Sequence, residues 1–98
     1  MPLLTLDRLR QRRDELLAIA GRCGAVDVRV FGSVARGEDT ADSDVDFLVR
    51  MERGRSLLDL VALRDGLQDA ISRPVDVVTE NGIYPYLRQR ILDEAVPL

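Results

Sequence analysis

With 98 residues the chain has room for one small domain, and 46% apolar with 32% charged residues describe a folded core under a well-solvated surface. It has no histidine, no lysine and one cysteine. That excludes imidazole general bases, a P-loop lysine, Schiff-base chemistry, internal disulfides and cysteine metal clusters. A net charge of −3 with no strong basic run argues against nucleic acid as a direct partner, so the available chemistry is that of carboxylates, hydroxyls, backbone amides, arginine and bound metal.

Residues 5–22 are predicted to form an amphipathic helix, with Leu6, Leu9, Leu16, Leu17 and Ala20 at helical spacing and Asp7 in the first turn. Arg8, Arg10, Arg12 and Arg13 read as its exposed face. Gly21 and Gly24 bracket its end, and Cys23 between them reads as a small buried hydrophobe. Residues 26–31 (VDVRVF) alternate apolar and polar, which predicts a strand with Val26, Val28 and Val30 inward. Residues 33–37 form a turn or one helical turn. Residues 38–43 form a polar loop in which Glu38, Asp39 and Asp42 serve solvation.

Residues 44–51 (DVDFLVRM) are predicted to be the second strand. Val45, Phe47 and Val49 lie on one face, and Asp44 and Asp46 on the other. Ser56 opens the next helix with Asp59 approximating a capping box, and Leu57, Leu60, Val61, Leu67 and Ile71 form its buried stripe. Pro74 closes that connection, and residues 75–79 (VDVVT) form a third strand. A last helix over residues 85–95 buries Leu87, Ile91 and Leu92, with proline at its tolerated first position. Tyr84 and Tyr86 flank Pro85. They have the chemistry to stack on a base or meet a partner, with helix-start packing the favoured role for at least one.

The order α-β-β-α-β-α predicts an α/β (α+β) two-layer sandwich: a three-stranded mixed sheet with helices on one face and the aspartates on the uncovered one. The whole chain, residues 1–98, reads as a single domain. No apolar run approaches membrane-spanning length and no signal peptide opens the chain, so a soluble, cytoplasmic protein is expected.

Residues 32–46, GSVARGEDTADSDVD, carry the chemistry. A Gly32-Ser33 turn between a strand and a helical start offers backbone N–H groups and a hydroxyl to phosphate oxygens. Asp44 and Asp46, spaced i, i+2, repel one another unless a cation sits between them, and hard oxygen ligands select Mg²⁺. Asp42, Asp44 and Asp46 also match the start of a calcium loop, but Phe47 stands where that loop needs glycine and Arg53 where it needs glutamate. The calcium reading fails. Asp76, among the valines of the third strand, is the natural third carboxylate, and a solvent-facing residue is the competing reading. Arg36 is set to support the loop, with phosphate contact the lesser option.

Gly32-Ser33-Val34-Ala35-Arg36-Gly37 followed by Ser43-Asp44-Val45-Asp46 resembles the signature of the nucleotidyltransferase superfamily that includes DNA polymerase beta. Within it, the short chain resembles the minimal nucleotidyltransferases, antitoxins paired with HEPN-domain ribonuclease toxins. The resemblance covers essentially the whole chain. It implies Mg²⁺-dependent transfer of AMP from ATP to a hydroxyl, a tyrosine of the cognate toxin, in a bacterial or archaeal cytoplasm. It assigns Asp44, Asp46 and Asp76 to catalysis and to two metal ions, and Gly32, Ser33 and Arg36 to the nucleotide. Because the chain ends at Leu98 without an acceptor domain, a partner is expected to complete the site, and an uncovered sheet face favours a homo- or hetero-oligomer. Two other readings stay open: an antitoxin that neutralises its toxin by binding alone, and transfer to a small molecule such as an aminoglycoside.

Overall fold

A computed structural model describes residues 3–98. Two short helices, α1 (Leu6–Gln11) and α2 (Arg13–Arg22), replace the single predicted one. The break falls at Arg12, whose backbone leaves helical geometry (φ −106°, ψ 17°), yet Leu9 and Leu16 on either side are both fully buried. Thr5 caps α1 by accepting from the Arg8 N–H at 3.1 Å, which satisfies one of the free donors of the first turn.

The sheet has four strands in the order β3-β2-β1-β4, with β1 Ala25–Phe31, β2 Val45–Met51, β3 Val75–Thr79 and β4 Val96–Pro97. Three strands were expected. The fourth is a two-residue edge piece after the last helix, antiparallel to Arg29 and Val30 of β1, too short to show an alternation in the sequence. β2 runs antiparallel to β1 and parallel to β3.

Alternation along the strands splits the interior in two. Val28, Val30, Val45, Phe47, Val49 and Val75 pack against Leu16 and Ala20 of α2 and against Leu63, Leu67 and Ile71 of α4 (Leu57–Ile71). As predicted, Asp59 of α4 accepts from the Ser56 N–H (2.9 Å), half of a capping box. Gly66 lets α4 approach α2 closely, since a Cβ there would meet Ile19 Cγ2 at 2.9 Å. Three burial expectations do not hold. Leu57 is 74% exposed and Val61 37%, because the α4 stripe runs through Leu63 instead. Val26 is 50% exposed, because a bulge between Ala25 and Asp27 shifts its register.

The opposite sheet face, expected to be free of helices, is partly roofed. Phe31, Leu48 and Ile83 form a second small core against Val78 and against Leu87, Ile91 and Leu92 of α5 (Pro85–Glu94). The amphipathic stripe of α5 was legible in the sequence, but not the side of the sheet it would cover. No described helix is long and apolar enough to cross a membrane.

Candidate active site

Where β1 ends, the chain turns directly into the short helix α3 (Gly32–Arg36). Gly32 takes a left-handed backbone (φ 75°), and a Cβ there would lie 2.1 Å from Asp46 Oδ2. Only glycine meets both demands, so the turn and the carboxylate are in direct contact. Gly37, also left-handed, ends α3, and the Glu38 N–H donates to Ser33 O at 2.8 Å.

Asp44 is the last loop residue before β2, which begins at Val45 rather than at Asp44. Both aspartates line one groove of about 420 Å³ with Gly32, Ser33, Arg36 and Ser43. This groove contains five of the six predicted site residues. The sixth, Asp76, stands beside Asp46 across the parallel β2–β3 pair, is exposed, and borders a separate small hollow with Leu57, Leu60, Val61 and Arg64. Among the described residues, no three acidic, histidine or cysteine side chains converge as a ready metal cage. Mg²⁺ rarely needs one, since one or two carboxylates with substrate phosphates and water complete its octahedron. The donor set and the crowding of carboxylates at Asp46 fit such an ion.

Burial first, then the charges of Asp76, Asp44 and Glu94, push the Asp46 carboxyl up to about 6, against a smaller pull from Arg36. An aspartate whose pKa rises on folding stabilises the protein most below its unfolded pKa of about 4, and that contribution is lost as pH rises through about 6. In metal-free buffer, Asp46→Asn should therefore match the parent in thermal stability near pH 4 and exceed it by a few degrees near pH 8. Equal melting curves at both pH values would contradict this electrostatic account.

Arg36 is committed at the rim. It pairs with Glu38 (3.0 Å) and with Glu94 of α5, so it ties α3 to the roof, in keeping with the loop-supporting role. The roof also contributes Leu87, Arg90 and Ile91 to the groove, and Arg90 makes no ion pair among the described residues. The sequence marks Leu87 and Ile91 only as buried positions of the last helix and does not single out Arg90, because nothing local reports that α5 folds over the aspartate face. Tyr84 and Tyr86 are 69% and 80% exposed and stack on each other, ring centroids 5.9 Å apart, instead of packing into the helix start. Asp39, read as a solvated loop residue, is buried against Arg73.

The family model described as a nucleotidyltransferase domain matches residues 6–98. The chain belongs to the nucleotidyltransferase domain family. A candidate protein adenylyltransferase of Methanocaldococcus jannaschii is 41% identical to this nucleotidyltransferase over 90% of its length and 95% of the relative's. A solved structure of a candidate minimal nucleotidyltransferase superposes with a TM-score of 0.85 at 50% identity, covering 97% of both chains. A chain from a toxin–antitoxin crystal structure with AMP-PNP shares the fold (TM-score 0.73) at 19% identity, covering 86% of this nucleotidyltransferase and 69% of that chain.

Proposed function

We propose that this nucleotidyltransferase is a Mg²⁺-dependent protein adenylyltransferase that moves AMP from ATP to a tyrosine hydroxyl of a cognate HEPN ribonuclease toxin and so acts as its antitoxin. The observation that carries the reading is the contact between Gly32 and Asp46, which leaves no side chain between a phosphate-type turn and the paired carboxylates. The names of the related adenylyltransferase and of the toxin–antitoxin neighbour agree with it.

In this reading Gly32 and Ser33 hold the β- and γ-phosphates through backbone N–H groups and the Ser33 hydroxyl, and Asp44 and Asp46 hold Mg²⁺, with Asp76 as third carboxylate. The metal, when bound, neutralises charge on the attacking and leaving oxygens. The acceptor oxygen attacks the α-phosphorus, Asp76 takes its proton, and the bond to the bridging oxygen breaks to release pyrophosphate. Arg36 stays paired and shapes the turn. Arg90 supplies a free positive charge to the phosphates, and Arg90→Ala is expected to raise the KM for ATP about tenfold with an unchanged melting temperature. An unchanged KM would remove Arg90 from the nucleotide site.

Incubation with the partner, Mg²⁺ and ATP labelled in the α- or the γ-phosphate tests the function. The α label should appear on the partner and the γ label should not. Label on an aminoglycoside instead would favour the small-molecule reading. Neutralisation without any label would favour binding alone.

A further inference from the structure

The loop that delivers Asp44 is held from the far side of the sheet's crossover. Asp39 and Arg73 form a buried pair, their side chains 2% and 7% exposed, with Nη2 to Oδ1 at 2.7 Å and Nη1 to Oδ2 at 3.0 Å. Arg73 Nη2 also donates to the backbone carbonyls of Thr40 (2.9 Å) and Ser43 (2.8 Å). All four of these bonds go to residues 39–43, and the buried Nε has no partner among the described residues. Asp39 Oδ2 in addition accepts the Leu4 N–H at 2.8 Å. The next link is direct, since the Val45 N–H donates to Pro74 O at 2.9 Å. Arg73 thus grips Ser43, one residue before Asp44, and lies three residues before Asp76.

We infer that Arg73 and Asp39 are positioning residues, a latch that fixes Asp44 relative to the β3 segment bearing Asp76 and thereby presets the metal site. The planar fork of arginine suits this, because it meets the carboxylate with two parallel bonds while the second Nη2 N–H is shared between the carbonyls of Thr40 and Ser43. A lysine can carry the charge but not that geometry. Buried ion pairs give little net stability over apolar residues of similar size, so a purely structural role explains the arrangement poorly. Groups that orient metal ligands typically change metal affinity by about 10–100-fold when removed. The inference rests on the metal reading above, and its test has one arm that does not.

Two variants suffice: Arg73→Lys, and the double variant Asp39→Leu/Arg73→Met, which leaves no unpaired buried charge and is expected to fold. Amide hydrogen exchange should accelerate at residues 40–45 in both, while α2 and α4 keep parental protection. Titration with Mn²⁺, followed by the spin-resonance signal of the free ion, should show binding about 10–100-fold weaker in both variants at a melting temperature near the parent's. Parental exchange at residues 40–45 overturns the latch. So does faster exchange with unchanged Mn²⁺ affinity, because the loop would then be held without consequence for the site. A parent that binds Mn²⁺ no better than Asp44→Ala would refute the metal reading, and the exchange data would still decide whether Arg73 orders the loop.

Discussion

Replacing Asp44 and Asp46 together by asparagine is expected to lower AMP transfer by about 10³-fold or more, while the metal-free protein melts no lower than its parent. The two halves of this result come from the same electrostatics. Metal-assisted stabilisation of charge at a transferring phosphoryl group is worth several kcal/mol, and each ~1.4 kcal/mol is a factor of ten in rate. Without metal, the same carboxylates repel. Asp46 is half-buried, and its carboxyl is pushed up by burial and by Asp76, Asp44 and Glu94. Asparagine keeps the shape and removes the repulsion. Transfer of α-phosphate label, measured beside thermal unfolding of the apo protein, reads both halves. A double variant with more than a tenth of parental transfer would show that the pair does not hold the reacting metal. One that melts far below the parent would trace lost activity to damaged folding.

Gly32→Ala should cost both stability and nearly all activity. A non-glycine residue at a left-handed position costs about 1–2 kcal/mol, which in a domain this small is roughly 5–15 °C of melting temperature. Gly54→Ala provides the control, since Gly54 is equally left-handed (φ 85°) but has no atom within 4 Å of a built Cβ. It should lose comparable stability and keep its activity. At Gly32 the new methyl would lie 2.1 Å from Asp46 Oδ2, so that carboxylate must rotate away from where Asp44 can share a metal with it. If both alanine variants lost equal activity, strain or folding would be responsible, and the contact with Asp46 would have no catalytic meaning.

The sequence resolved this site well wherever the information was local. The spacing of Asp44 and Asp46 within an alternating strand predicted that they would face away from Val45, Phe47 and Val49, and the groove is lined accordingly. Gly32 was legible as a turn between strand and helix, though its contact with Asp46 was not, because that contact depends on how β1 and β2 pair. The misses around the groove were long-range. Asp39 sits in a polar loop like any solvated aspartate, and its partner is 34 residues away in a connection that reads as an ordinary helix exit. The apolar stripe of α5 specifies that the helix packs, but not on which side, so Leu87, Arg90 and Ile91 went unplaced. Leu57 illustrates the opposite error, an apolar residue in helical phase that is exposed because it sits at the helix's first turn, ahead of the fully buried Leu63.

The latch also bears on how the chain can change in length. Loops normally absorb insertions at little thermodynamic cost, because closure entropy grows slowly with loop size. The segment before Asp44 is different, since Arg73 holds it at Asp39, Thr40 and Ser43. An extra residue between those points would pull Ser43, and Asp44 after it, away from the Arg73 fork, and one between Asp44 and Asp46 would put the two carboxylates on opposite faces of the strand. The turn between β2 and α4, around Gly54, carries no such tether to the groove and is where a longer variant or an inserted reporter would fit.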